Sequence, residues 1–362
     1  MAHPRRRHVL QGLAGLPAAA LALHARAARP PRKLGVALVG LGIYSRHVLA
    51  PALQLTEHCE LRGIVTGSPH KIPEWQKQYR IPDRNVYSYE TLPKVADNPD
   101  IDVIYIVTPP FLHARDGVRA AQAGKHVWCE KPMAMTVDEC QSIIEACRRN
   151  KVKLSIGYRM QHEPNTRTII EFAGSRPFGA IRRVKAEAGF RGRGTHQGDW
   201  RMDRDKGGGA LYDMGVYSIN AMRYATRLEP VAVSARFEND YPEVFLKADS
   251  TAFFDLEFPG GIVANGATSV TRDLNHLRVE CERGWYELAP MQTFTHIRGR
   301  TSDGRWLDKP LANQQVRQMD NDALAILNDT PVMVPGADGL ADIRVVRAVL
   351  RSAETGRRVE IG

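Results

Sequence analysis

Residues 34–42 read Leu-Gly-Val-Ala-Leu-Val-Gly-Leu-Gly, an apolar run that closes on two glycines. A run without polar alternation suits a strand buried on both faces, which requires helices above and below it. Gly40 permits a tight turn, and Gly42 lets the backbone approach a pyrophosphate. Ser45 supplies a small residue where a third glycine usually packs helix against strand. Ile43 and Tyr44 complete the turn. Strand, glycine turn and helix in that order make a dinucleotide cradle, against the alternative of a plain turn between packed elements.

The pattern then repeats. Apolar strands over residues 34–39, 61–65, 103–107, 126–129 and 153–156 alternate with helices over 45–55, 71–79, 91–96, 112–123 and 137–150. Such alternation is α/β and predicts a Rossmann doubly wound parallel sheet over 33–156, with ligands at the carboxyl ends of its strands. Past Gly157 the texture changes. A helix over 165–173 precedes alternating runs over 181–188, 231–237, 250–258, 262–270, 276–281 and 285–288. These read as a large, mostly antiparallel open sheet with one packed face. Residues 157–362 are therefore expected to form an α+β domain. Its last helix spans about 341–354 and stops at Gly356.

The second strand bears on which dinucleotide binds. An NAD site places Asp or Glu at that strand's end to accept from the ribose 2′-hydroxyl. Here the chain reads Val65-Thr66-Gly67-Ser68-Pro69-His70-Lys71, without an acid. Thr66 and Ser68 offer hydroxyl donors to a 2′-phosphate and Lys71 offers a charge, so NADP is expected; alternatively, Lys71 is a solvated first-turn residue. The strand over 103–107 runs into Thr108-Pro109-Pro110-Phe111-Leu112-His113, and the strand over 126–129 into Cys129-Glu130-Lys131-Pro132. Both ends lie at the expected cleft. Lys131 there can hold a positive charge beside a reacting hydroxyl, or else it snorkels from a strand end. His113 and His162 read as structural or cofactor-contacting residues rather than catalytic ones.

The N-terminus carries an address. Arg5-Arg6-Arg7 precedes an apolar run through Leu23 and the small-x-small exit Ala25-Arg26-Ala27, so residues 1–27 read as a twin-arginine leader. That route exports folded proteins and implies a periplasmic location without a stable membrane anchor; the run is too short and too rich in Ala and Gly to span a bilayer. The formal net charge of +10 falls to +6 without the leader's four arginines. The remaining basic residues are scattered without an aromatic stripe, which argues against nucleic-acid binding. The five cysteines, Cys59, Cys129, Cys140, Cys147 and Cys281, show neither a C-x-x-C pair nor a zinc spacing. They are expected to be reduced and mostly buried, and no metal is expected.

Several of these residues resemble the Gfo/Idh/MocA oxidoreductases. The resemblance rests on the Gly40/Gly42 turn, Ala123-Gly124-Lys125-His126-Val127, Glu130-Lys131-Pro132, Gly157-Tyr158-Arg159 and Trp200-Arg201. It continues in Gly207-Gly208-Gly209, Asp213-Met214-Gly215-Val216-Tyr217, Asn313-Gln314 and Thr355-Gly356-Arg357. Within the family the chain is most similar to periplasmic oxidoreductases that pass hydride between two sugars. The resemblance implies that Lys131 is the active-site lysine, that Asp213 touches the sugar, and that Tyr217 donates and accepts the proton. It further implies cofactor contacts at Thr66, Lys71, Arg159, Trp200 and Arg201, and a homo-oligomer, dimer or tetramer. A long proline-rich arm that wraps a neighbouring subunit in some relatives has no counterpart, since about seven residues, 28–34, separate the expected cleavage site from strand one.

The implied reaction is ping-pong. Tyr217 takes the proton of an anomeric hydroxyl as hydride leaves C1, a lactone departs, and a second sugar receives both. A phenol ionises near ~10 and is a poor base at neutral pH, so Lys131 would stabilise its anion. Three alternatives stay open: a sugar dehydrogenase that exchanges NADP, an exported glycosidase using tightly held NAD(P), and a non-catalytic sugar-binding protein. The sugars themselves depend on second-half side chains such as Arg191, His196 and Asp199.

Overall fold

The computed structural model describes residues 32–192 and 199–362. The expected leader, 1–27, and His196 lie outside the described residues. Six strands build a parallel sheet: β1 Leu34–Val39, β2 Cys59–Val65, β3 Val86–Tyr87, β4 Val103–Ile106, β5 His126–Cys129 and β6 Leu154–Ile156. Their order is β3-β2-β1-β4-β5-β6, every pair parallel. The chain moves outward from β1 to β3 and then returns to β4 on β1's other side. That reversal opens a crevice at the carboxyl ends of β1 and β4.

All six residues of β1 are buried, as the unbroken apolar run requires. Val36 and Leu38 enter one hydrophobic cluster, while Ala37 and Val39 enter another on the opposite face. This sheet's helices are α1 Ala50–Leu53, α2 Ile72–Tyr79, α3 His113–Gln122 and α4 Val137–Arg149. Thr136 caps α4 through Glu139 N, and Glu139 reaches back to the Thr136 backbone, a reciprocal box. Two expected helices differ in kind. The one expected over 45–55 begins as a π-helical turn, Ser45–Leu49, and the one expected over 91–96 is a 3₁₀ turn, Leu92–Asp97.

After α5, Pro164–Ser175, a second sheet has nine strands. They are β7 Ile181–Gly189, β8 Ala232–Glu238, β9 Thr251–Phe258, β10 Ile262–Ser269, β11 Leu274–Cys281, β12 Gly284–Leu288, β13 Gly299–Thr301, β14 Trp306–Leu307 and β15 Val359–Glu360. The order is β14-β13-β12-β11-β7-β10-β9-β8-β15, antiparallel except for the central β7–β10 pair. Along β9, Ala252, Phe254, Leu256 and Phe258 are buried while the residues between them are more open, the two-residue period of a one-faced sheet. The packed face carries α6, Val216–Thr226.

Two further helices link the halves. α7, Gln314–Leu327, starts at Asn313, whose side chain accepts from Val316 N. Although it lies far along the chain, its Met319 and Ala323 pack into the cluster with Val36, Leu38 and Trp128 of the first sheet. α8, Gly336–Thr355, begins five residues before the expected position. A Cβ at Gly336 would come 2.5 Å from Leu154 Cδ2, and one at Gly339 would come 3.0 Å from Met133 Cβ, so small residues let α8 press on β6 and the Lys-Pro turn. All five cysteines are free thiols, and burial pushes Cys59, Cys140 and Cys147 up to about 12.

Arg223 of α6 fixes α8 in place. Its guanidinium lies 2.6 Å from Asp342 Oδ1 and 2.6 Å from Glu229 Oε2, with its side chain 6% exposed. Asn220, one turn earlier, donates to Asp342 Oδ2 at 2.9 Å and accepts from Gln161 Nε2 at 2.9 Å. Removing one partner strands a buried charge, whereas removing both does not. Arg223→Met is therefore expected to lower unfolding stability by about 3–5 kcal/mol in urea titrations, and Arg223→Met/Asp342→Leu to recover most of that loss.

Candidate active site

The glycine turn shows why each small residue is needed. Gly40 sits at φ +96°, its N–H donates to Val65 O at 2.9 Å, and a Cβ would stand 3.1 Å from Val107 O. Gly42 differs: a Cβ there would meet nothing within 4 Å, so the backbone faces open crevice. Ser45 is buried, and its hydroxyl donates to Gly40 O at 2.5 Å, closing the turn from within. Ile43 is 71% exposed. Across the crevice, Lys71 Nζ donates to Leu41 O at 3.0 Å, which brings the end of β2 onto the glycine turn. Thr66 is buried with Oγ1 accepting from Ser68 N at 3.0 Å. A cation over an open backbone, with no carboxylate from Val65 to Lys71, fits a phosphorylated dinucleotide.

At the end of β5, Lys131 crosses to the other half of the molecule. Its ammonium donates to Asp213 O at 2.6 Å, stands 3.5 Å from Asp213 Oδ1, and lies 4.7 Å from the centre of the Tyr217 ring. The Lys131-Pro132 peptide bond is cis. Asp213 belongs to a π-helical turn, Leu211–Gly215, that runs straight into α6 and places Tyr217 one turn further on. This turn is tied on two sides: Tyr212 donates to Met135 O at 2.8 Å, and Thr268 Oγ1 donates to Ala210 O at 3.1 Å. Asp213 Oδ2 is buried without a hydrogen-bond partner among the described residues, an acceptor beside the lysine. Arg159 approaches the Tyr217 ring at 5.4 Å from its centre.

Glu130 is buried and accepts from the Tyr105 hydroxyl at 2.7 Å; burial pushes its carboxyl up. A Cβ at Gly157 would come 2.7 Å from Glu130 Oε1, so the glycine makes room for this acid. His113 has its two ring nitrogens beside carbonyls, Thr108 O at 2.7 Å and Pro132 O at 2.9 Å, and a neutral ring donates to one of them. It thereby ties the Thr108-Pro109 end of β4 to the Lys-Pro turn, and burial pushes its imidazole down. His162 is buried next to Asn321 of α7 and is pushed down to about 3 by burial and then by Arg167. Trp200 and Arg201 engage each other and Asp199, with the Arg201 guanidinium 4.5 Å from the Trp200 ring centre. They meet the glycine triplet: a Cβ at Gly208 would lie 2.4 Å from Arg201 O.

Phe294 and Gln315 at this crevice carry no sequence signal, whereas Gln314 belongs to the Asn313-Gln314 pair noted in the sequence. Phe294 stacks on Tyr44 with ring centres 6.3 Å apart, and Gln315 Nε2 donates to the Tyr44 hydroxyl at 3.3 Å. Burial, then the Glu130 carboxylate, push the Tyr44 phenol up. Gln314 bonds the Arg159 guanidinium. These partners are separated by 155 to 271 residues along the chain, and none forms a local motif.

Two family models match in tandem. Residues 34–158 fit an oxidoreductase family with an NAD-binding Rossmann fold, and residues 166–287 fit the GFO/IDH/MocA C-terminal domain. The solved aldose-aldose oxidoreductase of Caulobacter crescentus is 38% identical, with a TM-score of 0.85, over 91% of this chain and 100% of that one. The chain belongs to the Gfo/Idh/MocA oxidoreductase family. D-xylose 1-dehydrogenase [NADP(+)] of Haloarcula marismortui is 26% identical over 90% of this chain and 92% of its own. D-xylose 1-dehydrogenase (NADP(+)) 2 of Haloferax volcanii is 29% identical over 89% and 97%. For this Gfo/Idh/MocA member the two glycines separate fold from cradle. Gly42→Val is expected to leave thermal unfolding unchanged but abolish nucleotide binding by calorimetry. Gly40→Val is expected to cost about 1–3 kcal/mol of stability.

Proposed function

We propose that the protein is an NADP-dependent sugar oxidoreductase that oxidises an aldose at C1 to the lactone and reduces a second sugar at the same site. The carrying observation is Lys131 held between Asp213 and the Tyr217 ring at the mouth of the glycine crevice. NADP, when bound, supplies the acceptor and donor of hydride. The protein's residues handle the proton. Tyr217 takes it from the anomeric hydroxyl, and the Lys131 and Arg159 cations offset the negative charge that develops on the phenol. Asp213 Oδ2, which has no hydrogen-bond partner among the described residues, accepts from a sugar hydroxyl and orients the ring. In the return half-reaction Tyr217 gives its proton to the carbonyl oxygen of the second sugar, so proton and hydride both balance.

NADP over NAD is supported by Lys71 at the glycine turn, by the absence of an acid after β2, and by the NADP-named relatives. Two-sugar turnover is supported by the likeness to the aldose-aldose oxidoreductase. It also agrees with the leader read in residues 1–27, which we propose directs twin-arginine export to a periplasm lacking a nucleotide pool. We further propose that the protein works there as a homo-oligomer. The relatives named as D-xylose dehydrogenases support a second reading, an enzyme that exchanges NADP each cycle through the same residues.

One experiment separates the two. With protein purified from the periplasm, an aldose alone is expected to reduce about one nucleotide per chain, and a second carbonyl sugar to reverse that absorbance change. Initial rates should then give parallel double-reciprocal lines. Turnover that requires added NADP and stops after dialysis would favour the exchanging dehydrogenase.

Site variants give the remaining expectations. Tyr217→Phe should retain nucleotide while turnover falls roughly 10²–10⁴-fold; near-normal rates would move the proton to another group. Lys71→Glu should weaken NADP selectively over NAD, by about 2–3 kcal/mol in titrations of the two nucleotides.

A further inference from the structure

Residues 289–298 leave β12 and return as β13, their neck closed by Ala289 N donating to Arg298 O at 2.9 Å. The roots are anchored firmly. Asn275 of β11 accepts from Met291 N and Gln292 N, each at 2.8 Å, and donates to Gln292 O at 2.8 Å. Met291 and Ile297 are buried. Nearer the tip, Thr293 O accepts from Arg159 at 2.8 Å and from Gln314 at 2.9 Å. The tip itself is Phe294, a large apolar ring that remains 45% exposed.

Phe294 reaches across the crevice. Its ring stacks on Tyr44 at an interplanar angle of 27°, and the Arg159 guanidinium lies 4.8 Å from its centre. Tyr44 belongs to the glycine turn of the first half. Arg159 also faces Tyr217, so its guanidinium stands between the phenol proposed to carry the proton and the strap's tip. A ligand lying on Gly42 and extending toward Lys131 therefore runs past the Tyr44–Phe294 contact. Parting of that contact would widen the way out of the crevice. A rigidly rooted segment with an exposed aromatic tip is suited to gating release, because only the tip has to move.

We propose that residues 289–298 form a strap that retains the nucleotide, with Phe294 as its catch on Tyr44. The proposal rests on reading the crevice as an NADP site, and it assigns slow release to this chain's own residues rather than to an arm from a neighbouring subunit. Phe294 is a positioning residue here and takes no part in proton transfer.

The test is a release rate. Full-length protein is loaded with NADPH, mixed with excess NADP⁺, and followed by the decay of bound-nucleotide fluorescence. Phe294→Ala is expected to speed release about tenfold, the worth of one aromatic pair, and Phe294→Trp to restore slow release. Asn275→Ala should also speed release by freeing the roots, and Asn275→Ala/Phe294→Ala should be no faster than Phe294→Ala, since both act through one contact. Equal rates for wild type and Phe294→Ala, with both folded by circular dichroism, would overturn the strap alone. Failure of the wild type to bind NADPH would overturn the reading of the crevice and the strap with it. Rapid release from the wild type would likewise overturn the strap, which is proposed to make release slow.

Discussion

The ammonium of Lys131 is the point on which the two halves of this molecule meet. It leaves the carboxyl end of β5, donates to Asp213 O at 2.6 Å and lies over the Tyr217 ring. A half-buried lysine is costly unless its protons are taken, and here a carbonyl, a carboxylate and an aromatic face take them. Each of those partners comes from the turn that opens α6. Much of the surrounding packing holds this one cation in register with one phenol. His113 ties the β4 end to the Lys-Pro turn, Tyr212 ties the α6 turn to Met135, and Arg223 with Asp342 fixes α6 to α8.

A second constraint acts on the backbone rather than on charge. The glycine turn must leave its surface bare for a ligand while its interior stays closed, and the two glycines divide that work. Gly40 is forced by a positive φ and by Val107 O behind it, whereas Gly42 faces open space. Ser45 closes the turn with a hydroxyl where a third glycine would leave only a gap. Both π-helical turns, Ser45–Leu49 and Leu211–Gly215, fall beside the crevice. Such turns recur at functional sites because the wider ring shifts the side chains that follow.

The parallel sheet was legible because its strands are buried on both faces and read as unbroken apolar runs; β1 and β5 lie where the pattern put them. The antiparallel sheet was legible from its two-residue period, as along β9. Short edge strands were not: β3, β14 and β15 have two residues each, too few to show a period. α6 and α7 escaped for another reason. α6 is buried nearly all round and α7 carries buried glutamines, so neither shows the apolar stripe of a surface helix.

The chain's own order therefore determined the glycine turn, the acid-free end of β2 and the lysine at the end of β5, because each is a local device within a few residues. The chain's order also carried Asp213 and Tyr217 as a motif four residues apart, but the helical turn that joins them was seen only in the fold, as Leu211–Gly215 running into α6. What only the tertiary structure decided is which of these distant pieces touch. Lys131 meets Asp213 across 82 residues, Arg159 meets Gln314 across 155, and Gln315 meets Tyr44 across 271. Such contacts are set by how two sheets and the linking helices α7 and α8 fill a shared core. Packing of that kind depends on the whole chain's volume and shape and leaves no trace in any one segment.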